Sequence, residues 1–102
     1  MDRSDVIDLI SETIEPDEFG IERPTEGKRA VFVQTESVTR SEFFDAGRAG
    51  LNPEYRFTMF AGDYEGEEIV EYNGKRYAVY RTYRGKDDTL ELYVERRGGT
   101  NG

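Results

Sequence analysis

The fold class predicted for this chain is mainly β: a small antiparallel β-barrel of about six strands with one short inserted α-helix. Three observations predict it. Asn73-Gly74 stands between two β-rich runs in IVEYNGKRYAVYRTY, and this dipeptide is a strong hairpin signal because a two-residue I′ turn needs positive φ at both positions. Glu54 to Ala61 alternates cleanly, with Tyr55, Phe57, Met59 and Ala61 on one face and Arg56, Thr58 and Phe60 on the other. Short strand-like runs then recur at even spacing with turn signals between them, the pattern of a small barrel or sandwich.

Taken in order, Val6 to Ile14 alternates and is rich in β-branched residues, which reads as a strand, with a helix of two to three turns as the alternative. Pro16 and Pro24 bracket a stretch, Asp17 to Gly27, that reads as a mobile loop. Lys28 to Thr39 is a strand, apolar on both sides near its start. Thr39-Arg40-Ser41-Glu42 fits a capping box, in which the Thr hydroxyl accepts an N–H and the Glu side chain reaches back. A helix of about two turns follows, with Gly47 and Gly50 as candidate ends, and Leu51-Asn52-Pro53 stops it. Gly62 to Gly66 is a turn into the Asn-Gly hairpin, whose register sets Tyr72 opposite Lys75, Glu71 opposite Arg76, Val70 opposite Tyr77 and Ile69 opposite Ala78. Arg84 to Asp88 is a polar loop. Thr89 to Glu95 is the last strand, with Leu90, Leu92 and Val94 inward and Glu91, Tyr93 and Glu95 outward. One domain over 1–95 is expected, with 96–102 a flexible tail that holds three glycines and no apolar residue.

A chain of 102 residues supports one modest core. Only 35% of its residues are hydrophobic, and aromatics carry much of that share, with seven Tyr and six Phe; tyrosine suits half-buried strand faces because its ring packs while its hydroxyl stays wet. No cysteine is present, which rules out disulfides and thiolate metal sites. No apolar run approaches the ~20 residues of a membrane span, and Met1-Asp2-Arg3 does not open a signal peptide. The expectation is a chain that folds in a cytoplasm and does not enter a membrane. Acidic residues outnumber basic ones 22 to 14, for a net charge of −8. That argues against general nucleic-acid binding, in which Lys and Arg neutralise phosphates; the first reading of such a charge is that it keeps a small domain soluble, and the second is a surface that DNA passes without sticking.

Histidine is absent as well as cysteine, which removes the common general bases and most transition-metal sites. The densest carboxylate set is Asp63, Glu65, Glu67, Glu68 and Glu71. It matches no calcium-loop spacing and reads as a solvated loop. No glycine-rich loop leads from a strand into a helix, so nucleotide binding has no support. The expectation is no catalytic residue, no metal and no cofactor. Phe43 and Phe44 are adjacent on the predicted helix and cannot both point the same way, so one is expected to plug the barrel end and the other to face solvent or a partner.

The segment SVTRSEFFDAGRAGLNPEYRF, the turn Asp63-Tyr64-x-Gly66-Glu67, and EYNGKRYAVYRTY followed by LELYVE resemble the small head-closure proteins (head–tail adaptors, or stoppers) of long-tailed bacteriophages and prophages. The likeness runs from about Val6 to Glu95 and lies in the order and spacing of these segments. It implies a small β-barrel with a short helix and long loops. It further implies assembly as a ring beneath the portal, where the ring retains packaged DNA and gives the tail a docking place. Partners implied are the portal or adaptor protein, the tail proteins, and other copies of the chain. The ring would encircle DNA without sequence-specific binding, in the host cytoplasm during assembly and then in the virion. The resemblance supplies no catalytic residues.

A ring needs two different complementary patches on each subunit. The segments expected to make subunit and neighbour-ring contacts are Thr39–Gly50 with its flanking loop and the acidic N-terminal stretch. Candidate contact residues are Arg40, Glu42, Phe43, Phe44 and Arg48 on the first of these, with Phe60 and Tyr64 beyond it. Two other readings stand beside the connector: an acidic DNA-mimic inhibitor, against which the 14 interleaved basic residues argue, and an SH3-like peptide-binding module, which the Tyr-rich strands suggest.

Overall fold

The computed structural model describes residues 5–96. Six antiparallel strands close into a barrel in the order β1-β2-β3-β6-β5-β4. They are β1 (Asp5–Pro16), β2 (Glu22–Ser37), β3 (Pro53–Phe60), β4 (Ile69–Tyr72), β5 (Lys75–Arg84) and β6 (Thr89–Arg96), with one helix, α1 (Arg40–Arg48), between β2 and β3. A short 3-10 turn, Ala61–Asp63, follows β3.

The β4–β5 hairpin has the register that its turn dictates: Tyr72 opposite Lys75, Glu71 opposite Arg76, Val70 opposite Tyr77 and Ile69 opposite Ala78. Asn73 and Gly74 sit at φ 52° and 78°, the positive-φ pair of a I′ turn. Inward positions of successive strands meet in one core of Ile7, Leu9, Val31, Val33, Phe57, Met59, Val70, Tyr77, Leu92 and Val94. The tyrosines explain how so modest an apolar fraction fills a barrel. Tyr55 packs against Phe57, Tyr72 and Tyr77 with ring centroids 5.8, 5.5 and 5.5 Å apart, and Phe57 meets Tyr72 at 5.2 Å, mostly edge to face.

Three expectations about the elements are corrected. The stretch Asp17–Gly27 is not a loop: β1 and β2 pair continuously from Asp5↔Val33 out to Pro16↔Glu22, so prolines at 16 and 24 sit within the hairpin. Its outer part projects from the barrel as an arm. Proline is tolerated there because, beyond the Glu12↔Glu26 pair, neither edge of the arm is joined by a further strand among the described residues. Second, the last strand runs one residue further than expected, with Arg96 opposite Tyr77; the remainder of the expected tail, 97–102, lies outside the described residues. Third, Tyr93 points outward as expected yet is buried, because Tyr80 and Arg81 lie over it.

From Ser11 to Lys28 every residue but Asp17 is exposed or nearly so. The arm therefore adds little to the core. Replacing residues 13–25 by Asn-Gly, joined at the Glu12↔Glu26 pair, is expected to leave the melting temperature within about 5 °C, the equivalent of about 1 kcal/mol in a domain of this size. A larger fall in a thermal melt followed by circular dichroism would show that the arm supports the barrel.

Candidate interaction surfaces

Two structured surfaces stand out, one on the helix and one at the tip of the arm. Thr39 caps α1 by accepting the Glu42 N–H on its hydroxyl at 3.1 Å. The helix ends with Gly50 at φ 86°, where the Leu51 N–H donates to the Ala46 carbonyl and the Gly50 N–H to the Gly47 carbonyl, a Schellman ending of the kind glycine permits.

The reciprocal half of the expected capping box is absent. The Glu42 carboxylate turns to the barrel instead, accepting from the Tyr80 hydroxyl at 2.6 Å and from an Arg81 guanidinium nitrogen at 2.6 Å. A β-bulge makes this possible. Val79 pairs with Val94 and Arg81 with Tyr93, so Tyr80 is an extra residue in β5. Strict alternation would send Tyr80 and Arg81 to opposite faces; the inserted residue re-aims the strand so that both reach the helix. Arg81 then stacks on Tyr93, its guanidinium carbon 3.9 Å from the ring centroid. The row continues across the sheet: Tyr93 lies opposite Arg56, and Arg56 opposite Glu36, to which it is ion-paired. The helix is thus clamped to one end of a cross-strand row, Glu42, Arg81, Tyr93, Arg56 and Glu36, in which two arginines flank a tyrosine and each meets a carboxylate.

Burial raises the pKa of Glu42, but the Tyr80 and Arg81 hydrogen bonds outweigh it and hold the carboxyl below its ordinary range. Glu67 behaves likewise. Burial pushes it up, but the Glu65 and Glu67 backbone N–H groups and the Arg29 guanidinium bring it below normal. A carboxylate with a depressed folded pKa contributes stability that is present above the unfolded value, near ~4.3 for Glu, and is lost as pH falls through the folded pKa. Glu42→Gln is therefore expected to be less stable than the wild type at pH 7 by about 1.5–3 kcal/mol, the scale of a hydrogen bond to a charged group. The gap should close as pH falls through the depressed folded pKa of Glu42, below the ordinary glutamate range, where the wild-type side chain becomes neutral as well. Thermal melts of both proteins from neutral to acid pH check it; a gap independent of pH would show that the charge on Glu42 is irrelevant.

With Glu42 committed to the barrel, the outer face of the helix presents Phe43 and Phe44, 52% and 56% exposed. They form an edge-to-face pair with centroids 5.8 Å apart. The expectation that one of them plugs the barrel end is wrong: both rings are exposed, and Ala46 is the buried residue of α1. Arg40 and Arg48 flank the pair on the helix. Arg48 pairs with Asp45 at 2.9 Å, both exposed; Arg40 has no carboxylate within ion-pair distance among the described residues.

The other candidates separate. Phe60 is exposed on the outer end of β3. Tyr64 is instead tied into the fold: it packs against the core, and its hydroxyl donates to the Glu67 carbonyl at 2.5 Å. Glu67 also departs from the solvated-loop expectation. Its side chain is only 6% exposed and takes an Arg29 nitrogen at 2.8 Å. Ile10, Glu12, Glu65, Glu67 and Glu68 line part of a cleft of about 400 Å³ between the base of the arm and the loop before β4. Among the described residues no group of three or more His, Cys, Asp or Glu is placed to hold a metal ion.

The arm tip falls in Asp17–Gly27, which the sequence offers as a loop able to reach partners; the structure makes it a fixed turn instead. The Asp17 carboxylate accepts the Phe19 and Ile21 N–H groups on one oxygen at 2.8 and 2.9 Å and the Arg23 guanidinium on the other at 2.8 Å. The backbone closes the turn from Asp17 N–H to the Ile21 carbonyl, with Gly20 at φ 78°. Arg23 and these N–H groups hold the Asp17 carboxyl below its ordinary range. The turn displays Phe19, 78% exposed, with Ile21 and Ile14 beside it. Asp followed by Phe-Gly between two strands is the trace of it in the sequence; the flanking prolines obscured the hairpin.

No protein-family model matches this chain, and no curated protein matches it. No helix among the described residues is long and apolar enough to cross a membrane.

Proposed function

We infer that this protein is a ring-forming component of a phage head–tail connector, which assembles below the portal, retains packaged DNA and gives the tail a docking surface. One observation carries the reading beyond the resemblance: a small closed barrel bears two unlike, well-ordered apolar surfaces, Phe43–Phe44 on α1 and Phe19–Ile21 at the arm tip. A closed ring of identical subunits requires two different patches per subunit. Neither patch is large, and both are set among charges, which suits subunits that stay apart until they assemble. The net charge of −8 favours a channel that DNA passes without sticking.

Electron microscopy of particles made with and without the gene tests the reading. Filled heads that leak DNA and lack tails are the expected result of its loss. Normal virions would refute it.

A further inference from the structure

We propose that the arm tip of one copy docks on the Phe43–Phe44 face of α1 in a second copy, head to tail. This rests on the ring reading above and names the two surfaces that meet.

Shape comes first. The tip is held by three hydrogen bonds to the Asp17 carboxylate, so Phe19 and Ile21 are presented on an ordered turn. Ordering a flexible loop on binding would cost affinity; a turn already fixed avoids that cost. The receiving face is equally fixed, since Glu42 clamps α1 to Tyr80 and Arg81. Two projecting aliphatic and aromatic side chains thus face an aromatic pair, the apolar centre that interfaces favour.

Charge comes second. Around the tip apolar residues stand Glu15, Glu18 and Glu22, all exposed. On the helix, Arg40 is the first residue, beside the positive end of the helix dipole, where a cation is disfavoured. Glu42 is turned away to the barrel and does not offset it. A carboxylate arriving from the tip of another copy would relieve both the dipole and Arg40.

Geometry decides that the contact is between copies. β2 begins at the tip turn with Glu22 and ends at Ser37, three residues before α1. Sixteen residues of extended strand span roughly 50 Å at about 3.3 Å each, and the longest dimension of the molecule is 51 Å. The two surfaces lie at opposite ends of one strand, out of reach of each other within a chain. Joining them makes a heterologous contact that repeats from copy to copy, the kind that closes into a ring.

The chain contains no cysteine, so single-cysteine variants report proximity without background. Purified E18C, next to Phe19 at the tip, is mixed in a glutathione redox buffer with S41C, one turn before Phe44 on α1, so that the aromatic side chains of both patches stay in place; E18C is mixed in parallel with Y83C, an exposed site on β5. A disulfide-linked heterodimer in about tenfold excess over the control pair is expected, since docking raises the local concentration of the two thiols. Circular dichroism melts confirm that all three variants are folded. A yield equal to that of the control pair overturns the proposal, as does preferential trapping of E18C on another virion protein in assembly extracts. The two readings fail separately: a specific heterodimer alongside normal virions without the gene leaves the docking and removes the connector role, while tailless, leaking particles with crosslinking at control level remove the docking alone.

Discussion

Phe57→Ala is expected to lower the melting temperature by at least about 15 °C, at roughly 4–8 °C per kcal/mol for a domain of this size. Phe57 is 0% exposed and packs against the rings of Tyr55 and Tyr72. Removing a buried phenyl loses its transfer free energy and leaves a cavity, about 3–5 kcal/mol together. A domain holds only about 5–15 kcal/mol in total, so a large part of the folded state's margin goes with one side chain. The barrel has no second layer to collapse into the gap, because Phe57 sits where inward positions of β2, β3 and β6 converge. A melt shifted by less than about 5 °C, the equivalent of about 1 kcal/mol, would mean that the aromatic cluster is not the centre of the fold.

Replacing Phe43 and Phe44 together by glutamate is expected to do the reverse: leave folding intact and abolish function. Both rings are more than half exposed, and surface substitutions of this kind usually shift stability by no more than about 0.5 kcal/mol. At an assembled interface the same rings count for far more. A buried aromatic anchor is worth about 2 kcal/mol or more, and each 1.4 kcal/mol is about tenfold in affinity. Two carboxylates there would also face the acidic arm tip across the contact. If the proposed connector role holds, complementation of a phage lacking this gene falls in titre by at least about tenfold for the double variant, the effect of losing one such anchor, while its melting curve overlays the wild type. Normal titre from a folded double variant would remove α1 from the contact surface.

Much of the architecture was legible because it is written locally. The Asn73-Gly74 turn dictates its own φ values and hence the β4–β5 register. Alternation along β3 and β6 assigns Phe57, Met59, Leu92 and Val94 to the interior. Thr39 and Gly50 mark the two ends of α1. Each of these signals depends on residues within one or two turns of the chain. The strands of β1 and β2 were legible, but reading Asp17 to Gly27 between them as a loop failed for a physical reason: proline is normally a strand breaker, yet Pro16 and Pro24 sit in a projecting ribbon with free edges, where a missing N–H costs little. The pair Phe43–Phe44 was expected to divide between core and solvent; both face out because α1 docks on the barrel through Ala46 and Glu42 instead.

Taken alone, the order of residues determined a mainly β chain, a central hairpin and its register, the two alternating faces of β3, the inward face of β6, and a short capped helix, since turn chemistry and side-chain alternation act between near neighbours. Tertiary structure alone decided that the barrel closes through β1 and β4, that a bulge at Tyr80 turns two side chains to Glu42, and that β1 and β2 run past the barrel as an arm. Those features depend on strands far apart in sequence competing for the same space and the same hydrogen-bond partners, and no short stretch of residues carries that information.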